Sequence, residues 1–400
     1  MLILSDFAGL FAVIFRFRLP EFFNIIQNSY HWKTAMSFST FEQQMMSQAL
    51  ELARKGLYST SPNPKVGCVI VQNGEIVGQG WHEKKGEPHA EVFALRQAAD
   101  KAQGATVFVT LEPCSHFGAT PPCAATLINA GIKKVIASSL DPNPLVSGNG
   151  VKMLQNAGVE VAIGLLEKES RVLNRGFFSI FERQKPFVTL KIAQSLDGKT
   201  ALNNGVSQWI TGEMARIDVH RGRAASCAIL TGIGTVIKDN PELNVRHIAT
   251  VRQPIRIVAD SHLQTPANAK ICTDGGRTIL ACLPDFRATK TYPECVEILP
   301  IMPDKSGQHI DLSNLMQKLA EKQIGQLWVE AGSVLNGALL NAGLVDEIII
   351  YQAPMILGDC AKDAFRLPEI TALNQAHRLI VQDIQALGND IKITLRIQTG

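Results

Sequence analysis

The sequence predicts an α/β protein of two domains. Apolar runs as long as strands alternate with amphipathic helical segments through most of the 400 residues, and this alternation is typical of a largely parallel sheet with helices on both faces. The length suffices for two or three hydrophobic cores. The polar segment 184–186 interrupts the alternation. We therefore place a domain boundary there, between residues 38–184 and residues 185–400.

Composition and charge narrow the class of protein. Hydrophobic residues make up 46% of the chain and charged residues 19%, which is ordinary for a folded globular protein. The formal net charge of +3, without a basic tract, gives no broad electrostatic footprint for nucleic acid. Eight cysteines are too sparse for a secreted disulfide framework. We expect a cytoplasmic protein without a nucleic-acid partner.

The first 37 residues form an extension of doubtful structure. Residues 1–15 are apolar apart from two polar side chains, and two arginines follow. A signal peptide carries its positive charge before the apolar run, and a membrane span needs about 20 apolar residues. Neither is predicted here, and no membrane partner is expected. An upstream start codon with Met36 as the functional beginning is one interpretation, and an amphipathic extension is the other.

The first predicted elements are a helix and a hairpin. Residues 41–56 have helical spacing and end at a glycine. The apolar face of this helix would contain Met45, Ala49, Leu52 and Ala53. Strands over 66–71 and 75–81 flank Asn73 and Gly74, a strong hairpin turn signal. Cys68 lies within the first strand, where a core thiol is expected rather than a metal ligand.

A histidine and two cysteines have the chemistry of a catalytic zinc site. One imidazole and two thiolates, from His89, Cys114 and Cys123, suit Zn²⁺, and three protein ligands leave the fourth tetrahedral position open for water. Glu91 can handle protons beside the metal without ligating it. Zinc base deaminases combine these features, although their short signature has two residues between the cysteines and this chain has eight.

The predicted elements bring this set together. A helix over residues 89–101 carries the histidine and the glutamate in its first turn. A buried strand over residues 105–111 leaves Cys114 beyond its carboxyl end, where open α/β sheets bind ligands. Two prolines before Cys123 preorganise a helix start, a position that favours the thiolate.

The remaining elements continue the α/β pattern. Further strands are predicted over residues 133–140, 159–164, 187–193, 224–230, 255–260 and 326–330, and further helices over residues 151–157 and 165–183. Gly232 and Gly234 lack the third glycine and the acidic residue of a dinucleotide fingerprint. Residues 330–337 follow a strand and open a helix, so their N–H groups either cradle a phosphate or form a routine turn.

Taken together, the motifs resemble the bifunctional riboflavin-biosynthesis deaminase–reductases. In the first half the resemblance rests on residues 63–64, 67–71, 86–91, 111–116 and 120–123. In the second half it rests on residues 191–200, 207–211, 235, 239–243, 246 and 330–332. It extends from about residue 41 nearly to the C-terminus, and this family tolerates the wide cysteine gap.

For the first half, the resemblance implies a cytidine-deaminase-like domain of three α/β/α layers. This domain would hydrolytically deaminate 2,5-diamino-6-(5-phosphoribosylamino)pyrimidin-4(3H)-one. One Zn²⁺ per chain would lie on the His/Cys/Cys set, and Glu91 would carry the protons. The implied substrate contacts are Asn63, His82 and His116.

For the second half, the resemblance implies a dihydrofolate-reductase-like α/β domain that binds NADPH without a Rossmann fingerprint. It would reduce the ribosyl group of 5-amino-6-(5-phosphoribosylamino)uracil to ribityl. The implied nucleotide contacts are Ala193, Trp209, Thr235, Asp239, Ser261, Gly332, Ser333, Val334, Leu335, Asn336, Gly337 and Ala338. The implied substrate contacts are Ser207, Arg223, Leu243, Arg246 and Glu330. The two arginines suit a ribose phosphate, which a guanidinium binds bidentately, and a homo-oligomer, dimer or tetramer, is expected.

One position departs from the family pattern. Members usually carry Lys or Arg where this chain has Ala119, in the loop between the cysteines. A substrate contact is therefore expected to be missing there. Either Lys84 or Lys85 compensates, or both lysines are solvated surface charges.

Two other classes of protein remain open at this stage. A nucleic-acid base deaminase would share the zinc site, but it needs a basic face or an aromatic stacking platform and a short cysteine gap. A structural zinc module would want a fourth ligand. His116 could supply one, although next to Cys114 it is better placed to face substrate. Neither class explains residues 186–400.

Overall fold

The computed structural model describes residues 37–116, 121–144, 146–286 and 289–398. The N-terminal extension up to Met36 and the position of Ala119 lie outside the described residues, so the predictions made for them have no structural counterpart. Residues 44–400 form one compact unit. Within the described ranges, no helix combines the length and the apolar character needed to cross a membrane.

The first half is built on a sheet of five strands in the order β2-β1-β3-β4-β5. The strands are β1 (Gly67–Gln72), β2 (Glu75–Trp81), β3 (Thr106–Val109), β4 (Lys134–Ala137) and β5 (Glu160–Ile163). The expectation of a largely parallel sheet is wrong here, because β1 pairs antiparallel with both β2 and β3 while β3, β4 and β5 are parallel. The cause is the predicted hairpin: Asn73 and Gly74 both have positive φ, which reverses the chain within two residues.

Helices cover both faces of this sheet. They are α1 (Thr40–Arg54), α2 (Ala90–Ala98), α3 (Cys123–Asn129), α4 (Asn149–Asn156), α5 (Glu167–Leu173) and α6 (Arg175–Arg183), and a 3₁₀ turn (Ala99–Ala102) extends α2. Helices α2, α3 and α4 share a core with Cys68 and its face of the sheet. On the other face Leu50 and Ala53 of α1 pack with Leu173 of α5. The predicted three-layer α/β/α arrangement is confirmed.

The single helix predicted over residues 165–183 is wrong, because the chain breaks at Asn174. The buried Asn174 side chain accepts a hydrogen bond from the backbone N–H of Lys65 at 2.8 Å and donates to the Lys65 carbonyl at 2.9 Å. An asparagine that pairs with a distant backbone favours a non-helical conformation. Helical periodicity continues on both sides of this residue, so the sequence pattern did not reveal the break.

The second half is built on a sheet of nine strands in the order β11-β10-β9-β8-β12-β6-β13-β16-β15. Its strands are β6 (Phe187–Ser195), β8 (Ala228–Gly232), β9 (Ile255–Ala259), β10 (Thr278–Cys282), β11 (Val296–Pro300), β12 (Gln326–Val329), β13 (Glu347–Ala353), β15 (Leu379–Leu387) and β16 (Asp390–Ile397). Strands β7 (Lys199–Ala201) and β14 (Lys362–Asp363) form a separate pair. Strands β11 through β13 are parallel, and β16 and β15 run antiparallel.

Helices also cover both faces of the second sheet. They are α7 (Glu213–Ala225), α8 (Ile233–Asp239), α9 (Lys270–Thr273), α10 (Leu312–Glu321) and α11 (Ser333–Asn341). Side chains of α10 and α11 contribute to one core and side chains of α7 and α8 to the other. The strand predicted over residues 224–230 begins later, at Ala228, because Ala224 and Ala225 end α7.

Helix α6 precedes the predicted boundary at residues 184–186 but packs on the second half. The backbones of Gly176 and Gly325 approach so closely that a Cβ on Gly176 would lie 2.7 Å from the Gly325 carbonyl. Arg175 binds Glu347 at 2.6 Å and covers the Phe187 ring at 4.3 Å. These contacts attach α6 to strands β6, β12 and β13, and the boundary at 184–186 stays a prediction.

Separate fragments test where the second half begins. If residues 36–184 and 185–400 are the independent units, each fragment should fold. We expect fragment 174–400 to be more stable than fragment 185–400 by about 1–3 kcal/mol, since only the longer one keeps the partner of the part-buried Glu347. Urea unfolding followed by circular dichroism measures this difference. Equal free energies of unfolding would show that α6 adds nothing to the second half.

Candidate active sites

The position of helix α2 sets the geometry of the first site. Gly78 and Gly80 of β2 face α2, and a Cβ on either glycine would lie within 2.6 Å of a backbone carbonyl of Ala94 or Ala90. Only glycine permits this contact. The first turn of α2 is therefore held directly against the sheet, with His89 immediately before the helix.

His89, Cys114 and Cys123 converge as the sequence predicts. The Nδ1 atom of His89 lies 3.5 Å from the Cys114 sulfur and 3.3 Å from the Cys123 sulfur. All three ligand atoms lie within 4.8 Å of one another. Among the described residues this is the one His/Cys/Asp/Glu group found with such spacing. His116 is exposed and lies outside this group, so none of the described residues provides a fourth protein ligand.

The electrostatics of this group suit a cation. A hydrogen bond from the Cys123 thiol lowers the pKa of Cys114 to about 4, and the same bond raises the pKa of Cys123. A hydrogen bond with Cys114 raises the pKa of the His89 imidazole to about 9. The backbone N–H of Cys123, at the start of α3, also donates to the Cys114 sulfur at 3.3 Å. The group therefore stabilises a thiolate, which is the form that binds a metal.

Glu91 lies in the first turn of α2 and is buried. Burial raises the pKa of its carboxyl group. The carboxyl group hydrogen bonds with the Cys123 side chain, yet it does not belong to the ligand group. Cys68 lies within β1 and is fully buried in the core, as predicted, and it does not belong to the group of His89, Cys114 and Cys123.

Asn63 and His82 form a hydrogen-bonded pair next to the ligand group. The Nδ2 atom of Asn63 lies 3.1 Å from His82 Nε2, and His82 Nδ1 lies 3.1 Å from the Pro88 carbonyl. Burial lowers the pKa of His82, so the neutral ring donates from Nδ1 and accepts at Nε2. The rings of His82 and His89 meet edge to face, with centroids 5.6 Å apart. This pair thus lies beside the predicted metal ligand.

In the second half, the predicted residues line one cavity of about 1450 Å³. Single small-molecule sites usually have roughly 300–1,000 Å³, so this cavity has room for a nucleotide and a second ligand. It is lined by all the predicted nucleotide and substrate contacts of this half except Gly337. A Cβ on Gly337 would lie 1.9 Å from the Arg366 carbonyl, so Gly337 packs against backbone instead.

A buried ion-pair cluster forms part of the cavity wall. Nε and Nη2 of Arg223 donate to the two carboxylate oxygens of Glu330 at 2.6 and 2.9 Å, and Trp328 Nε1 donates to the same carboxylate at 2.9 Å. Burial opposes ionisation, but the charges of Arg223 and Lys191 hold the pKa of Glu330 at about 2. Arg223 also donates to the Asn244 carbonyl at 2.8 Å.

The two predicted phosphate-binding arginines differ in their freedom. The Arg223 side chain is 10% exposed and already bound on both edges, whereas the Arg246 side chain is 45% exposed. Among the described residues, the side-chain partners of Arg246 are Glu242 and Asn244, and both bind Nη1. Arg246 is therefore the better placed of the two to bind an anion from solution.

Sequence reasoning did not single out two residues of this cavity. Lys191 lies 3.8 Å from Glu330, and burial lowers its pKa. His220 accepts the backbone N–H of Arg246 at Nδ1, and burial together with the charge of Arg223 lowers its pKa to about 3. Lys191 begins the motif over residues 191–200, and the sequence gives it no role apart from that motif. His220 lies on the helical face of α7 that looks like ordinary core.

Two family models match the chain. Residues 39–139 match the cytidine and deoxycytidylate deaminase zinc-binding region, and residues 186–393 match the RibD C-terminal domain. The riboflavin biosynthesis protein RibD of Haemophilus influenzae is 46% identical over 372 residues, which cover 90% of this chain and 98% of that protein. The Escherichia coli protein of the same name is 46% identical over 366 residues, 88% of this chain and 99% of that protein.

The chain belongs to the RibD family.

Solved structures agree with this assignment. Acinetobacter baumannii RibD is 44% identical with a TM-score of 0.82, and the match covers 90% of this chain and 99% of that one. A Thermotoga maritima diaminohydroxyphosphoribosylaminopyrimidine deaminase/5-amino-6-(5-phosphoribosylamino)uracil reductase is 35% identical with a TM-score of 0.80 over 90% and 99% of the two chains. This RibD-family chain is thus a bifunctional enzyme of riboflavin biosynthesis, a zinc-dependent deaminase and an NADPH-dependent reductase.

Cysteine replacements test the ligand set. Purified protein should hold about one Zn²⁺ per chain, and Cys114→Ser or Cys123→Ser should lose it, because the missing thiolate leaves an incomplete site. Cys68→Ser is the matched control and should keep its zinc. Metal analysis by mass spectrometry gives the stoichiometry. Full zinc occupancy in both ligand variants would place the site elsewhere.

Proposed function

We propose that residues 38–184 hydrolytically deaminate 2,5-diamino-6-(5-phosphoribosylamino)pyrimidin-4(3H)-one. We further propose that residues 185–400 reduce the ribosyl group of 5-amino-6-(5-phosphoribosylamino)uracil to ribityl with NADPH. The observation that carries the first assignment is the three-ligand group with the buried Glu91 beside it. The observation that supports the second is the cavity that gathers the predicted contacts around Glu330.

The deaminase residues divide the work between binding metal and moving protons. His89, Cys114 and Cys123 would hold Zn²⁺, which supplies an activated water when bound. Glu91 would accept one proton from the attacking water at its carboxylate and deliver it to the ring nitrogen. It would then carry the second proton of that water to the departing amine. Its burial favours this role because the raised pKa brings proton uptake closer to neutral pH.

The substrate of the deaminase would contact polar side chains, and a hydrogen bond already orients two of them, Asn63 and His82. Asn63 is oriented by its hydrogen bond to the neutral His82, so its amide is held for contact with the pyrimidinone. His116 is exposed at the end of the described stretch before the cysteine loop. We assign these three residues to substrate binding.

The reductase residues would bind NADPH and the substrate, and Arg223 would hold the buried carboxylate of Glu330 in place. NADPH supplies the hydride when bound. We assign the nucleotide to the wall of the cavity formed by the predicted cofactor contacts, among them the exposed Trp209 at the rim. Lys191 lines this cavity 3.8 Å from Glu330, and we assign to it the supply of the proton that must accompany the hydride. Arg246 and Ser207 would bind the phosphorylated substrate, with Arg223 holding Glu330 in position.

We also propose that the enzyme is cytoplasmic and that it forms a homodimer through strand β15. Strand β15 is an edge of the nine-stranded sheet, and eight of its nine residues are exposed. Its exposed apolar side chains include Leu379, Ile380, Val381 and Ile384. An edge strand this long and apolar favours pairing with another strand, and a second copy offers the identical edge. The eight free cysteines favour a reducing compartment.

Replacing Glu91 tests the division of labour. Glu91→Gln keeps the side-chain shape and all three ligands, so zinc and fold should survive. The amide cannot accept or deliver the protons, and positioned acid–base groups typically contribute about 10²–10⁴-fold. Deamination should therefore fall by about this factor or more, while reduction of separately supplied deaminated intermediate continues at the parent rate. Product identification by mass measures both steps.

The outcome separates three cases. Deamination within a few-fold of the parent would make Glu91 a helix-start carboxylate stabilised by the dipole. Loss of both activities with zinc retained would contradict independent sites. Loss of deamination alone supports the assignment.

A charge on strand β15 tests the dimer. Ile384→Lys should convert a dimeric parent to a monomer, because the ammonium would be buried in the interface. Val172→Lys is the control, since Val172 and Ile384 are equally exposed, at 61% each, and Val172 lies on helix α5. Sedimentation velocity measures the mass. A dimer in Ile384→Lys, or a monomeric parent, would refute the proposed interface.

A further inference from the structure

Glu112 immediately precedes Pro113 and Cys114 and is buried at 4% exposure. Its carboxylate accepts hydrogen bonds from four backbone N–H groups, all within residues 141–151. Oε2 accepts from Asp141 at 3.1 Å and from Gly148 at 3.0 Å, and Oε1 accepts from Gly150 at 3.0 Å and from Val151 at 3.2 Å. Its own N–H donates to the Ser139 carbonyl at 2.9 Å.

This carboxylate joins the start of helix α4 to the peptide that carries a metal ligand. Gly150 and Val151 lie in the first turn of α4, where free N–H groups and the helix dipole favour a negative charge. Gly150 also packs on the next peptide, since a Cβ there would lie 2.0 Å from the Pro113 carbonyl. The backbone before Cys114 is thus fixed by a side chain and by direct backbone contact.

On its other side Cys114 is tied to helix α3. Its carbonyl accepts the N–H of Ala124 at 3.1 Å, and its sulfur accepts the N–H of Cys123 at 3.3 Å. Cys114 is therefore linked to the first turns of two helices. Glu112 links it to α4, and its own carbonyl and sulfur bind α3.

We propose that Glu112 is a positioning residue that holds Cys114 in the geometry required for zinc. The inference rests on the proposed zinc site and deepens it. Groups that orient metal ligands typically change metal affinity about 10–100-fold when replaced. Glu112 acts through the Pro113–Cys114 peptide and makes no contact with the reacting atoms.

The replacement Glu112→Gln should weaken zinc binding while the chain still folds. An amide has the same size, but its NH₂ group would face two of the four N–H donors, so their hydrogen bonds are lost. The peptide before Cys114 then shifts. We expect the Zn²⁺ dissociation constant of the full chain to rise roughly 10–100-fold, measured by competition with a chromogenic chelator.

A matched control separates positioning from general stability. Asp260 is another buried carboxylate, which accepts the N–H groups of Gln264 and Thr265 and the Thr265 hydroxyl at 2.7–2.8 Å in the second half. Asp260→Asn should lower the urea midpoint and leave zinc affinity within about two-fold of the parent. In Co²⁺-substituted protein, the visible absorption bands should change in Glu112→Gln and stay unchanged in Asp260→Asn.

A second variant keeps the inference testable if Glu112→Gln does not fold. Gly150→Ala keeps Glu112, but its methyl group would lie 2.0 Å from the Pro113 carbonyl oxygen and 3.2 Å from Glu112 Oε1. Both groups must shift, so this variant should also weaken zinc binding. Zinc affinity within two-fold of the parent in the folded variants would overturn the role of Glu112, as would equal loss in Asp260→Asn. A parent chain that binds no zinc would instead refute the proposed metal site.

Discussion

The close contact between helix α2 and strand β2 is the constraint on which the deaminase site depends. Gly78 and Gly80 let the helix lie almost on the strand backbone, and this fixes where the first turn, with His89 and Glu91, meets the sheet. The two cysteines arrive separately, one after strand β3 and one at the start of α3. The histidine and the glutamate are thus positioned by a different part of the fold from the two cysteines.

The two halves treat buried charge in different ways. In the first half, burial raises the pKa of the carboxyl groups of both Glu112 and Glu91, and at Glu112 hydrogen bonds from backbone N–H groups oppose this shift. In the second half, Glu330 is held ionised by Arg223 and Lys191. A proton carrier needs a carboxylate that can change its charge, whereas a binding wall needs one that cannot. The environments of Glu91 and Glu330 fit these separate tasks.

The sequence predicted the parts of the fold that are determined by residues close together in the chain. The hairpin at Asn73 and the start of α3 at Cys123 follow from short-range signals, and the His/Cys/Cys convergence follows from the ligand chemistry of the motif. The three α/β/α layers of the first half are what the family resemblance implies. The break at Asn174 and the pairing of Arg223 with Glu330 were not predicted, because each depends on a partner more than 100 residues away in the chain. Periodicity and motif spacing contain no information about such partners.

The exposure of Arg246 has a consequence for how the reductase would respond to its surroundings. A guanidinium that is nearly half in water attracts a phosphate through a medium that dissolved ions screen, with a Debye length of about 8 Å at physiological ionic strength. The buried Arg223–Glu330 pair is shielded from those ions. Added salt would therefore weaken capture of a phosphorylated substrate and leave the architecture of the cavity intact. The affinity of this site for a phosphorylated substrate therefore depends in part on the ionic strength of the solution.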